Sequence, residues 1–109
     1  MRIGCHCGAI IVDQADFLPH KAHLIPDQNW FDVFDAIDSE VIDALVAGRT
    51  TKKDAYWKVR EVITRSARLV YECRVCGRLF IDDRKRNPHS YLPEDERRSK
   101  EILRSRDSD

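Results

Sequence analysis

The chain has 109 residues, 42% of them apolar and 35% charged, with 19 basic and 19 acidic side chains. At that length one folded domain is expected, the apolar share excludes wholesale disorder, and a zero net charge selects no class of partner. The charge is unevenly spread, however: residues 1–50 carry three basic against eight acidic side chains (net −5), and the rest carries sixteen against eleven (net +5).

Residues 2–13 read as a β-hairpin whose turn is Cys5-His6-Cys7-Gly8 and whose second arm, residues 9–13, is β-branched. Residues 14–26, with Pro19 and Pro26, read as a connection, ordered if Phe17, Leu18, Leu24 and Ile25 dock on the core. Asp27 is the expected N-cap of a helix that Gly48 ends. Trp30, Phe34, Ile37, Val41 and Leu45 form its expected buried stripe, and Asp32, Asp35, Asp38, Glu40 and Asp43 its wet face. A shorter helix is expected from about Thr51 to about Val59, capped by Thr50 and burying Tyr56 and Trp57.

Residues 66–73 are again strand-like, the turn Cys73-Arg74-Val75-Cys76-Gly77 follows, and residues 78–82 form the next strand. Beyond Asp83 the chain becomes charged, and a frayed helix over about 94–104 competes with disorder. The expected fold is therefore α+β. Zinc-knuckle β-hairpins come from both ends of a domain spanning 1–92, with a helical insertion at about 27–64 packed on them and a charged tail over 93–109.

One heptapeptide occurs twice in outline. Cys7-Gly8-Ala9-Ile10-Ile11-Val12-Asp13 aligns without gaps to Cys76-Gly77-Arg78-Leu79-Phe80-Ile81-Asp82. Each has cysteine, glycine, one variable residue, three apolar residues and an aspartate. A thiolate turn aims main-chain amides at sulfur and calls for positive φ after its second cysteine, a place that Gly8 and Gly77 fill. Zinc takes four soft ligands in a tetrahedron, and Cys5, Cys7, Cys73 and Cys76 supply four with no cysteine left over. Buried free thiols, a disulfide pair or a redox dithiol are the alternatives. Iron fits the same thiolates, but nothing in the sequence suggests electron transfer.

Cys73-Arg74-Val75-Cys76-Gly77 resembles the knuckle of zinc-ribbon and rubredoxin-like proteins, and Cys5-His6-Cys7-Gly8 resembles the same knuckle one residue shorter. The resemblance implies one structural Zn2+ per chain and a β-hairpin frame, and it names no activity. Residues 18–30 (LPHKAHLIPDQNW), after a Cys-x-Cys-Gly start, are also similar to small bacterial proteins of uncharacterised function.

His20 and His23 lie between prolines, either as loop histidines or as members of a second metal site. No phosphate-binding glycine loop, nucleophile elbow or small-molecule substrate motif is evident, and four thiolates leave no open metal position for hydrolysis. The expected function is a non-enzymatic zinc-binding module that mediates protein–protein interaction, with Asp32, Asp35 and Asp38 as its acidic surface. The alternative is nucleic-acid binding through the basic second knuckle, Arg74, Arg78, Arg84, Lys85 and Arg86. A redox or iron protein is the third reading. No segment reaches the roughly 18 apolar residues of a membrane span, and the longest apolar run near the start, residues 9–12, is shorter than the roughly 7–15 of a signal core. The expected compartment is the reducing cytoplasm.

Overall fold

A computed structural model describes residues 1–95 and 101–106. The chain is α+β, with strands toward both ends and helices between them. It divides into two compact units: Met1–His23 with Arg68–Asp109, and Leu24–Ala67.

The first unit contains two antiparallel-paired elements. Strands β1 (Arg2–Gly4) and β2 (Ile10–Val12) form a hairpin in the register Arg2↔Val12 and Gly4↔Ile10. A second sheet has the order β3-β4-β5-β6. Its strands are β3 (Lys21–Leu24), β4 (Arg68–Glu72), β5 (Leu79–Asp82) and β6 (Pro88–Tyr91). The core is small: Cys5, Ile11, Tyr71, Cys73 and Phe80 are buried, with Ile3, Ala9, Leu69 and Cys76 packed around them. Two of those five buried residues are cysteines, so the hydrophobic core and the thiol cluster are one structure. A unit of this size buries a limited apolar area.

Two strands occupy segments for which the sequence predicted none. The connection over 14–26 contains β3, joined to β4 by the Glu72 amide donating to the His20 carbonyl at 2.8 Å. Phe17 does not dock; it is fully exposed with φ 60°. After β5 the basic triplet Arg84-Lys85-Arg86 forms the tip of a hairpin. Asp83 closes that tip, its Oδ1 accepting the amides of Lys85 at 2.8 Å and Asn87 at 3.0 Å. Edge strand β6 is exposed along its length. Of the helix expected near 94–104, residues 101–104 form a turn, and 96–100 lie outside the described residues.

In the second unit, α1 (Asp27–Ile37) runs through a π-helical turn (Asp38–Ile42) into α2 (Asp43–Val46). Asp27 is the first helical residue, and Pro26 holds the cap position without a side-chain bond. Gly48, at φ 74°, ends the helix as expected. Helix α3 (Lys52–Ser66) is capped by Thr51, whose hydroxyl accepts from the Asp54 amide at 3.2 Å. It runs about two turns past the expected end.

The helical core uses small residues: Val33, Val41, Ala44, Ala55 and Val62 are buried. Trp30, Phe34 and Leu45 were expected inside and instead flank that seam, more than 40% exposed. Trp30 and Phe34 pack edge to face at 4.9 Å. Tyr56 and Trp57 also face outward. Val and Ala let two helix backbones approach closely, and the aromatic rings cannot fit in that gap. The helices are also tied by Glu40, which accepts from Arg65 at 3.0 Å and pairs with Lys58 at 3.5 Å. No helix among the described residues is long and apolar enough to cross a membrane.

Candidate metal centre

The two knuckles are closed by the same pair of main-chain bonds. In the second, the Gly77 amide donates to the Cys73 carbonyl at 2.9 Å, and the Cys73 amide donates to the Arg78 carbonyl at 2.8 Å. In the first, Gly8 donates to Cys5 at 3.0 Å and Cys5 to Ala9 at 2.9 Å. Ala9 and Arg78 are equivalent in the repeat, so the Cys-x-Cys turn makes the knuckle bonds with one residue fewer. Positive φ carries both: Gly8 lies at 96° and Gly77 at 81°.

The turns bring all four sulfurs within 4.8 Å of one another. Cys5 Sγ lies 3.5 Å from Cys76 Sγ, and Cys7 Sγ lies 3.6 Å from Cys73 Sγ. Both short approaches cross from one knuckle to the other. They are far longer than the roughly 2.05 Å of a disulfide, and all four cysteines are free. A tetrahedron with metal–sulfur bonds of about 2.3 Å has edges of about 3.8 Å. The donor set therefore fits a four-coordinate ion. Cys5 and Cys73 are buried, Cys76 is partly covered and Cys7 is exposed.

The thiols are electrostatically unequal. Burial pushes Cys5 up to about 12. At Cys76 burial also acts upward, but the Arg78 amide, the Cys5 thiol and the Arg78 guanidinium together bring the group down to about 6. The Arg78 guanidinium donates to Cys76 Sγ at 3.5 Å. Arg78 therefore faces the thiol cluster, a role that its place in a basic sequence cluster did not suggest. Arg74 is exposed within the second knuckle, and Arg84, Lys85 and Arg86 are exposed at the β5–β6 tip. Asp32, Asp35 and Asp38 are exposed on the acidic side of the long helix.

His20 is a buried core histidine, its Nε2 bonded to the Val12 carbonyl at 2.9 Å, whereas His23 is exposed. Glu72, next to the third cysteine, is 2% exposed. Reading the sequence did not single it out, because an acidic residue closing a strand ordinarily faces water.

Residues 1–95 match a family described as a domain of unknown function (DUF8617), a span that includes both knuckles and the helical insertion. No curated protein and no solved structure matches the chain.

Proposed function

We propose that this chain, which belongs to the DUF8617 family, is a non-enzymatic zinc-binding module in which one structural Zn2+ on Cys5, Cys7, Cys73 and Cys76 holds the β-unit together. The observation that carries the reading is the convergence of four sulfurs from two distant knuckles to within 4.8 Å. The thiolates favour zinc over harder ions, and a full set of four protein ligands suits a structural site. With the coordination shell filled by protein, the ion has no position for an activated water, which supports the non-enzymatic reading.

The work of such a module is contact with a macromolecule, and a protein partner is the leading class. The exposed Asp32, Asp35 and Asp38 beside exposed Phe31 and Phe34 support a partner that is basic and partly apolar. Elemental analysis of protein purified without added metal tests the zinc reading: close to one equivalent of zinc per chain is expected. A folded, metal-free monomer overturns it.

A further inference from the structure

The helical unit keeps a regular order around its seam. Each of the five buried residues named above is followed directly by a large exposed apolar one: Phe34, Ile42, Leu45, Tyr56 and Ile63. One residue turns a helix by roughly 100°, so these five share one flank of the buried line. Helix α3 packs on α1 after the short connection over 47–51 and runs back along it. In an antiparallel pair the same flank of each helix faces the same side, so the five side chains form one apolar face. Trp30 extends it by a turn and packs on Phe34. Glu40 and Glu61 each precede a buried residue instead, and they lie on the other side, in ion pairs with Lys58 and Arg65.

A contiguous apolar face on an otherwise charged helical pair marks an interaction surface. Its charge says what it takes. Residues 27–46 carry six acidic side chains and no basic one, whereas α3 carries five basic against two acidic. The face is thus bordered by an acidic helix and a basic one. Asp38 lies one turn beyond Phe34, and Arg60 lies one turn beyond Tyr56. The Glu40–Lys58 pair at 3.5 Å fixes the relative level of the two helices. Asp38 is two residues before Glu40 and Arg60 two residues after Lys58, so in antiparallel helices they stand at the same level.

We propose that this face binds a second copy of the chain, in a symmetric dimer that packs the α1–α2 helix antiparallel on α3 of the second copy and forms a four-helix bundle. A two-fold axis parallel to the helices preserves level and exchanges the two helices, so Asp38 meets the partner's Arg60 and each acidic helix meets a basic one. A two-fold axis across the helices would oppose α1 to α1, with like charges, which is unfavourable. A partner of another sequence has to match both signs, whereas a second copy supplies both by symmetry. The proposal rests on the protein-contact reading above and names its partner. It is independent of zinc, because the helical unit has its own core.

The test is sedimentation velocity of the full-length protein as purified, under reducing conditions so that exposed Cys7 forms no cross-link. A dimer of 12.7 kDa chains is expected at about 100 μM, a concentration that fills a micromolar dimer. Phe34→Glu is expected to weaken it at least roughly tenfold, since a charge enters the apolar contact. Asp38→Lys and Arg60→Glu are each expected to weaken it alone, and an equimolar mixture of the two to regain the parent's affinity, because opposite charges then face each other again. All three positions are exposed, and circular dichroism checks that the helices persist. A monomer at that concentration, full dimer affinity in Phe34→Glu, or a mixture no tighter than the separate variants overturns the proposal. The parent chain alone decides the matter if a variant fails to fold. A monomer that holds zinc refutes the second copy only, leaving the protein-contact reading to a basic partner of another sequence, and a dimer without zinc refutes the metal reading only.

Discussion

The hydroxyl of Tyr71 donates to the carboxylate of Asp13, on the same oxygen that accepts from the Lys21 ammonium at 2.8 Å. Asp13 follows β2, Tyr71 is in β4 and Lys21 is in β3, so one carboxylate joins the hairpin to the larger sheet. Lys21 Nζ also lies 5.8 Å from the centre of the Tyr71 ring. Because Tyr71 is almost wholly buried, the contact is sheltered from solvent. Tyr71→Phe is expected to cost about 2 kcal/mol, the range for a hydrogen bond to a charged group, measured by urea unfolding at neutral pH.

The same contact sets a pH dependence at both ends. The Lys21 and Tyr71 hydrogen bonds hold Asp13 below the ordinary carboxylate range. Its stabilising effect is complete above the unfolded value of about 3.9 and is lost as pH falls through the lower folded value. Burial, then the bond to Asp13, pushes Tyr71 up. Above the unfolded value of about 10 the unfolded chain releases that proton and the folded chain keeps it, so stability falls there as pH rises. Unfolding midpoints of Asp13→Asn and the parent chain should converge in acid. A gap that persists at pH values well below that range would refute the linkage.

Cys76→Ser should unfold the β-unit rather than remove a surface feature, since the thiols are part of its small core. Structural zinc supplies on the order of 10 kcal/mol in small domains. The helical unit has its own core of Val33, Val41, Ala44, Ala55 and Val62. Far-ultraviolet circular dichroism should therefore retain helix while chemical-shift dispersion from the strands collapses. An unchanged melting temperature would make the metal peripheral.

Arg78→Gln is expected to accelerate zinc release by about tenfold, within the range for loss of a group that supports a metal ligand. The guanidinium bonds Cys76 Sγ, and it would offset the negative charge of four thiolates around the proposed zinc. Competition with a chromogenic chelator gives the rate. Arg78→Lys should recover part of the effect, because a point charge remains but the fork geometry does not.

Gly8→Ala separates strain from space. A Cβ at Gly8 would meet no atom within 4 Å, yet φ is 96°. The cost is therefore conformational, roughly 1–2 kcal/mol. Gly8→Asn should cost less than Gly8→Ala, because asparagine tolerates positive φ better. Equal losses for the two variants, measured by thermal melts of the metal-loaded protein, would refute the backbone explanation.

What the sequence made readable was what local chemistry dictates. The Cys-Gly repeats marked both knuckles, a β-branched run marked β2, the apolar triplet after the second knuckle marked β5, and Gly48 marked a helix end. What escaped depended on tertiary context. Lys21–Leu24 is a strand because β4 offers it hydrogen-bond partners, although its own sequence, KAHL, has little strand preference. The helix stripe was displaced because size decides the seam: Val33 and Ala44 fit between helices and Trp30 does not. His20 read as a loop histidine and Glu72 as the end of a strand, and tertiary packing buries both.

Arg84, Lys85 and Arg86 share one exposed hairpin tip, where Arg86 takes φ 63°. Arg74 sits in the knuckle turn, and Arg78 is engaged with Cys76. The cluster of five cations read from the sequence is thus reduced by at least one, and the chain as a whole has no net charge. Phosphate binding grows with the number of cationic contacts and falls steeply with salt. Three exposed cations at one tip should give binding only at low ionic strength. A fluorescence titration with single-stranded RNA and duplex DNA at about 150 mM salt, near physiological ionic strength, should show no saturation in the micromolar range. Submicromolar affinity that is lost on combining Arg84→Ala with Arg86→Ala would instead make the β5–β6 tip a nucleic-acid contact and displace the protein-partner reading.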